Sequence, residues 1–389
     1  MLKKHGKFKH FWINTNLIKI PKNSQTFNVL SLFSGAGGMD LGFVGGFEFL
    51  NKNYQTNPFN IVFANDILKP ASKVYEFNFK HKVETKSISD LTLEKDFPNI
   101  NVDVILGGFP CQTFSYSGKR AGLSDKRGQL YLEMIRVIDH YKPKIFIAEN
   151  VDGIRNSNKN FKGENVNQSA LTTILNEFED HGYYVQYQVL NAANYGVPQI
   201  RRRVIIIGIR KDLGNYSDVY YPEPLFDETG ELTGNKWISA KDAIDDLWDK
   251  LNDPFISNHS IKDVSKAKFY LNKKMQGNNR IHENKPAPTI RAEHHGNIEG
   301  HYRTLLKDKN DISGWRRLSV RECARLQSFP DTFNFVVSAS AAYKVIGNAV
   351  PPVMAWHIAR ATYYTLMKLD KNKRYKNNNL NKQISNQFN

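Results

Sequence analysis

The chain has 389 residues, 40% of them hydrophobic, enough for a sizeable core and for two or three domains. Two cysteines exclude a disulfide framework, no apolar stretch approaches a membrane span, and the basic start MLKKHGKFKHFWIN lacks the apolar run of a secretory signal, so a cytoplasmic protein is expected. Lys and Arg number 54 against 38 Asp and Glu, a net charge of +16 with a pI near 9.5, which points to a polyanion partner or to a plain Lys- and Asn-rich bias.

Residues 1–26 are basic and partly aromatic without periodicity, and read as an untidy terminus or a flexible arm reaching for phosphate. From Phe27 the pattern sharpens. Phe27–Phe33 reads as a strand, 34–38 (SGAGG) as a glycine turn and Met39–Phe43 as a helix start. Such a turn lets a ligand approach the backbone, and the helix start offers unpaired N–H groups; a purely structural corner would use the same glycines. Gly35 and Gly37 fit the dinucleotide fingerprint, but its third glycine falls at Asp40, which weighs against a nicotinamide dehydrogenase. A second strand, Ile61–Ala64, ends at Asn65-Asp66, where a carboxylate is placed to take ribose hydroxyls or to face solvent as ordinary surface. Lys69–Lys80 reads as helix and Val83–Ile88 as a weak strand.

The strand Val102–Leu106 stops at Gly107-Gly108 and leads into FPCQTFSYS. Cys111 therefore stands at the carboxyl end of a strand, on the rim where open α/β sheets bind ligands. A thiolate there would be a nucleophile; a buried thiol would be inert. The glycine-spaced, basic stretch Gly118–Gly128 suits a mobile active-site loop or a surface loop. After the helix Tyr131–His140, the strand Lys144–Ala148 delivers Glu149 to the same rim as Cys111, the layout of a doubly wound catalytic site. A helix at Ser169–His181, the stretch Tyr183–Leu190 and a strand at Val204–Ile209 follow. Side chains alternate along a strand, so Arg201 and Arg203 should share a face and meet acidic groups or phosphate.

Strand–helix alternation to this point implies a mostly parallel sheet. It stops near Lys211, and residues 212–285 read as part of a second, smaller domain. His294-His295 lacks companions at zinc spacing, so no metal is expected there and DNA contact or plain loop is preferred. Leu318–Leu326 reads as a helix capped by Ser319 and Glu322, with Cys323 packed inside it. A final helix, Val353–Lys368, is followed by a Lys- and Asn-rich stretch, 370–389, expected to be disordered.

Six motifs in fixed order, FSGAGG (33–38), GGFPCQ (107–112), ENV (149–151), QIRRR (199–203), RECARLQSFP (321–330) and GNAVPP (347–352), resemble those of a bacterial DNA (cytosine-5) methyltransferase of a type II restriction-modification system. The resemblance covers roughly Phe27–Leu366. It implies an α/β fold: a doubly wound, mostly parallel S-adenosylmethionine-dependent methyltransferase sheet with a smaller target-recognition domain. The implied divisions are a basic arm (1–26), a catalytic and cofactor domain (27–211), a target-recognition domain (212–300), a hinge and returning C-terminal helix (301–369) and the tail (370–389).

The same resemblance implies catalytic roles for Cys111, Glu149, Arg201 and Arg203. Phe33 would stack near the adenine of S-adenosylmethionine, and Ser34, Gly35, Ala36, Gly37, Gly38 and Met39 would form its cradle. Asp66 would bind the ribose and Ile67 pack on the base; Gly108, Pro110 and Leu130 would line the pocket, and Asn348 with Ala349 would close it once the last helix folds back beside the first strand. Where the family places an Asp for the adenine amino group, this chain has Ser87-Ile88, with Asp90 further on. Gln112, Ser115, Ser117 and Arg127 would contact a flipped cytosine, Thr289 the phosphate backbone, and Arg291 and Asn297 the recognition sequence. The implied partner is duplex DNA with a short specific site, shared with a cognate endonuclease, and a monomer is expected. A tRNA cytosine-5 methyltransferase and a non-catalytic DNA-binding protein on the same scaffold are the alternatives.

Overall fold

The computed structural model describes residues 11–110, 130–156, 169–264, 280–292, 302–304 and 311–387, with 372–387 as backbone only. In chain order the strands are β1 (Phe11–Ile13), β2 (Phe27–Leu32), β3 (Phe47–Phe49), β4 (Lys52–Tyr54), β5 (Phe59–Asn65), β6 (Val104–Gly107), β7 (Ile145–Val151), β8 (Tyr183–Asn191), β9 (Arg202–Arg210) and β10 (Tyr220–Pro222). Short pairs β11 (Tyr302–Arg303) and β12 (Arg316–Arg317) follow. The helices are α1 (Gly38–Val44), α2 (Lys69–Phe79), α3 (Leu93–Asp96), α4 (Tyr131–Tyr141), α5 (Ala170–Asp180), α6 (Ala240–Ile244), α7 (Val320–Leu326), α8 (Ala339–Asn348) and α9 (Pro352–Gln387).

The central sheet has the order β5-β2-β6-β7-β9-β8. All of its neighbours pair in parallel except β9, which runs antiparallel to both β7 and β8. Strands β2, β6 and β7 are buried on both faces, as their continuous apolar runs require. The chain leaves β2 toward β5 and returns on the other side to β6, so the order of strand addition reverses between the parallel neighbours β2 and β6. The expected weak strand at Val83–Ile88 does not form: Glu84 makes a single bridge to Asn65, and a 3₁₀ turn occupies Ile88–Asp90. Asn65 Nδ2 donates to the Glu84 and Lys86 carbonyls at 2.8 and 3.0 Å, satisfying by side chain what a strand would have satisfied by its ladder.

Helix α9 lies beside β2 and α1 and completes the core on that face. Phe27 meets Tyr363 edge-on at 6.4 Å, and Trp356 Nε1 donates to the Gln55 carbonyl at 2.8 Å. The backbone stays helical to Gln387, beyond the packed part that ends near Leu369, where the Lys/Asn composition had suggested no order. The buried turns supply the costly nucleus from which a helix propagates. The N-terminal stretch is ordered as well: β1 pairs with β10, and buried Thr15 holds His357 of α9 at 2.6 Å. Burial pushes that imidazole down to about 3, so it is neutral.

Helices α1 and α9 approach closely at Gly42, where a Cβ would lie 2.4 Å from Ala355 Cβ and 2.6 Å from the Pro352 carbonyl oxygen. Gly42→Ala is therefore expected to lower stability by about 1–3 kcal/mol through overpacking, read as a drop in melting temperature. An unchanged melting temperature would show that the helices can part without loss. A separate apolar cluster joins α6, α7 and α8 to Ile281, Ala287 and Ile290, and reaches Ala36 and Ala71 beneath the glycine turn. Cys323 is buried within it, and Ser319 and Glu322 cap α7 reciprocally. Among the described residues no helix is long and apolar enough to cross a membrane.

Candidate active site

A cavity opens at the carboxyl ends of β2 and β6, at the switch point where doubly wound sheets bind ligands. The chain turns sharply there. Phe33 ends β2 in the left-handed region (φ 55°), and Gly35 and Gly37 adopt φ 57° and 83°. A non-glycine residue at positive φ is strained, and such strain concentrates at functional sites. A Cβ on Gly35 would meet nothing within 4 Å, which leaves open space on the cavity side of the turn. Behind it, Gly37 backs onto the stacked rings of Tyr75 and Phe79, 4.3 Å apart.

The cavity wall contains Phe33, Ser34, Gly35, Gly38 and Met39 on the turn side. Asp66 and Ile67 arrive from the end of β5, and Gly108 and Pro110 from the end of β6. Asn348 and Ala349, at the α8–α9 junction, close the far side, as expected of a C-terminal helix folded back beside β2. Asp66 is buried; its Oδ2 accepts from Gly35 N and its Oδ1 from Leu68 N, both at 2.8 Å. Burial pushes this carboxyl above its usual range, and the two backbone donors pull it partly back. Each oxygen keeps a lone pair for a further donor. Ile67 is 62% exposed, an apolar side chain held open at the cavity mouth.

Not every expected residue lines this space. Ala36 and Gly37 build the turn from behind. Ser87 is set back from the cavity. Ile88 is buried in the apolar cluster against which Phe33 and Leu130 pack, and neither Ile88 nor Leu130 is part of the described wall. Asp90 is exposed.

Glu149 and Arg203 meet at the base of the same cavity, with Arg203 Nε 2.8 Å from Glu149 Oε1 and both side chains nearly buried. Burial raises the Glu149 carboxyl, and Arg203 and then Arg201 draw it partly down. A Cβ on Gly108 would sit 3.6 Å from Glu149 Oε2, so the carboxyl reaches the segment that leads into Cys111. Arg201 shares the cavity, and besides its electrostatic pull on Glu149 it holds backbone carbonyls that the sequence did not suggest. Its Nη1 donates to the Ile290 carbonyl at 2.9 Å, and its Nη2 to those of Gly347 and Ala349 at 2.8 and 2.9 Å. Three carbonyls on two chain segments point at one place, and a guanidinium can satisfy them all.

Thr289 Oγ1 donates to the Ile200 carbonyl at 2.7 Å, and Arg291 is exposed next to it. A Cβ on Gly347 would lie 2.3 Å from the Arg291 carbonyl carbon, so the cavity rim and this segment are in backbone contact. Cys111, Gln112, Ser115, Ser117, Arg127 and Asn297 lie outside the described residues, as do His294 and His295.

The C-5 cytosine-specific DNA methylase family matches this chain over residues 27–363. The chain belongs to that family. It is 37% identical to the Type II methyltransferase M.FnuDI of Fusobacterium nucleatum over 361 residues, covering 89% of this chain and 97% of the relative. It is 35% identical to M.BsuRI of Bacillus subtilis, another Type II methyltransferase, covering 88% of this chain and 80% of that one. Among solved structures, an S. pombe Dnmt2 methyltransferase matches with a TM-score of 0.60 at 21% identity, covering 88% of this chain and 99% of that one. A putative DNA modification methyltransferase of an E. coli prophage matches with a TM-score of 0.58 at 23% identity, covering 88% and 99%. These two share the fold.

The protein is thus a DNA cytosine-5 methyltransferase of the type II kind, and its family implies a sulfonium methyl donor. In this methylase, sequence reasoning passed over several buried polar groups around the site. Gln199 Nε2 donates to the Leu326 carbonyl at 3.1 Å and its Oε1 accepts from Ile290 N at 3.0 Å. Gln327 Nε2 donates to the Ile346 and Ala349 carbonyls at 3.2 and 2.6 Å. Both glutamines sit inside motifs read for other residues, QIRRR and RECARLQSFP, and their full burial was the missing signal. Asp40, also unassigned, borders the cavity from the first turn of α1.

Proposed function

We propose that this methyltransferase transfers a methyl group from S-adenosylmethionine to carbon 5 of a cytosine turned out of a short specific site in duplex DNA, through a covalent adduct with Cys111. The observation that carries the reading is the nearly buried Glu149–Arg203 pair at the switch-point cavity, beside the segment that leads into Cys111. The cavity fits the donor. Asp66 has free lone pairs for two ribose hydroxyls, Phe33 and Ile67 offer apolar surface to a base, and Asn348 stands across from them. When bound, the donor supplies an electrophilic methyl on a sulfonium.

Carbon 5 of cytosine is a weak nucleophile, and covalent catalysis divides the difficulty. The Cys111 thiolate adds to carbon 6, and the electron pair of the 5,6 double bond moves toward ring nitrogen 3. The Glu149 carboxyl, raised by burial, holds a proton for that nitrogen and accepts from the exocyclic amine, while Arg203 fixes its orientation. Carbon 5 then takes the methyl, the carbon 5 proton leaves to a base or water, and the sulfur–carbon 6 bond breaks to free the thiolate. A stacked base cannot reach this site, so the cytosine must leave the helix. The stretch 115–127 would close over it, with Gln112, Ser115, Ser117 and Arg127 as contacts.

Residues 212–300 would read the site, with Thr289 on phosphate and Arg291 and Asn297 on base edges, where arginine suits guanine. The modified site would be protected from a cognate endonuclease, and the enzyme would act as a cytoplasmic monomer. Conversion sequencing of DNA exposed to the purified enzyme identifies the site; a duplex carrying 5-fluorocytosine there tests the chemistry. An adduct that survives denaturing electrophoresis is expected with the intact enzyme and not with Cys111→Ser. No adduct would overturn the covalent route. Methyl transfer to tRNA but not to duplex DNA would overturn the acceptor in favour of the tRNA alternative.

A further inference from the structure

Asp40 is fully buried, and the catalytic scheme does not use it. Its Oδ1 accepts from Ser31 Oγ of β2 at 2.8 Å and its Oδ2 from Tyr75 OH of α2 at 2.7 Å. Among the described residues no Lys, Arg or His forms an ion pair with it. Burial pushes its carboxyl up to about 6, against the pull of the two hydroxyls. An ionised carboxylate buried without a countercharge is costly. The hydrogen bonds do not require the charge, because an amide oxygen would accept from a hydroxyl as well. The first turn of α1 accounts for part of it, since helix starts favour acidic groups. Asp40 is also part of the cavity border.

We propose that Asp40 is a positioning residue that supplies the missing countercharge to the methyl donor, favouring the cationic sulfonium over the neutral thioether left after transfer. This rests on the cofactor reading above. When the methyl leaves, sulfur passes from positive to neutral and its attraction to Asp40 disappears, so the spent donor is held less tightly. The carboxylate acts through a water-poor interior, where charges interact more strongly than in bulk solvent. Asp66 serves a different part of the ligand: its oxygens face the turn, and any ribose contact is common to donor and product.

The test compares S-adenosylmethionine with S-adenosylhomocysteine by calorimetry, in the full-length enzyme and in Asp40→Asn. Asparagine is isosteric and can meet both hydroxyls. It should weaken the methyl donor about tenfold, the scale of two partly screened charges within one site. The thioether product should bind nearly as before, and the donor KM should rise more than kcat falls. Tyr75→Phe removes one hydrogen bond that favours the ionised carboxyl, so its preference for the donor should shrink at neutral pH and recover as pH rises. Equal weakening of both ligands by Asp40→Asn, or a preference in Tyr75→Phe that does not recover as pH rises, would overturn the proposal. Wild-type enzyme that binds neither ligand would overturn the cofactor reading itself, and this inference with it.

Discussion

Glu149→Gln is expected to lower kcat by about 10²–10⁴-fold, the range typical of a lost general acid, while duplex binding is retained. The amide matches the carboxyl in shape, can donate to ring nitrogen 3 and can still accept from Arg203 Nε, which now stands 2.8 Å from Glu149 Oε1. What it cannot do is release a proton as the thiolate adds. Single-turnover methylation and a binding titration on the same duplex separate the two effects; a fall in affinity that matched the fall in rate would make Glu149 a binding residue only.

The same substitution has a pH signature. Burial holds the Glu149 carboxyl above its ordinary value of 4.5. A carboxyl raised in the fold contributes stability that is complete below the unfolded value and lost as pH rises through the folded one. The glutamine enzyme escapes that loss. Its melting temperature should equal or exceed that of the wild type at pH 8, and the gap should close as pH falls toward 4.5. Wild-type activity should also fall at high pH as Glu149 gives up its proton.

The parts legible in the sequence were those made by near neighbours. Asp66 and Glu149 follow apolar runs directly, so a strand-end reading placed both on the rim; β2 was bounded to within one residue for the same reason. The unread parts depend on distant partners. The charge problem at Asp40 exists only because Tyr75, 35 residues on, seals it from solvent. The order of residues 11–18 depends on His357 and α9, which no local periodicity signals. Arg201 was placed on the side that feels Glu149, but the carbonyls it also holds are 89 to 148 positions away and carry no sequence signature at all.

Those distant partners separate Arg201 from Arg203 within QIRRR. Arg201→Ala is expected to cost about 3–5 kcal/mol, the range for breaking a buried charged network, because the Ile290, Gly347 and Ala349 carbonyls lose the guanidinium that binds them. Against a total stability of about 5–15 kcal/mol this is a large fraction, and chemical denaturation should show it directly. The damage should also reach both ligand faces. Gly347 and Ala349 flank Asn348 at the cavity rim, and Ile290 lies between Thr289 and Arg291. Arg201→Lys should recover only part of the loss, since an ammonium cannot reproduce the planar fork that reaches all three carbonyls. Arg203→Ala should behave oppositely: little change in stability, because its Glu149 partner is already biased toward the neutral form, and a large fall in kcat. If the two alanine variants instead lost stability and rate in the same proportion, Arg201 would not be the tie between the cavity rim and the 289–291 segment.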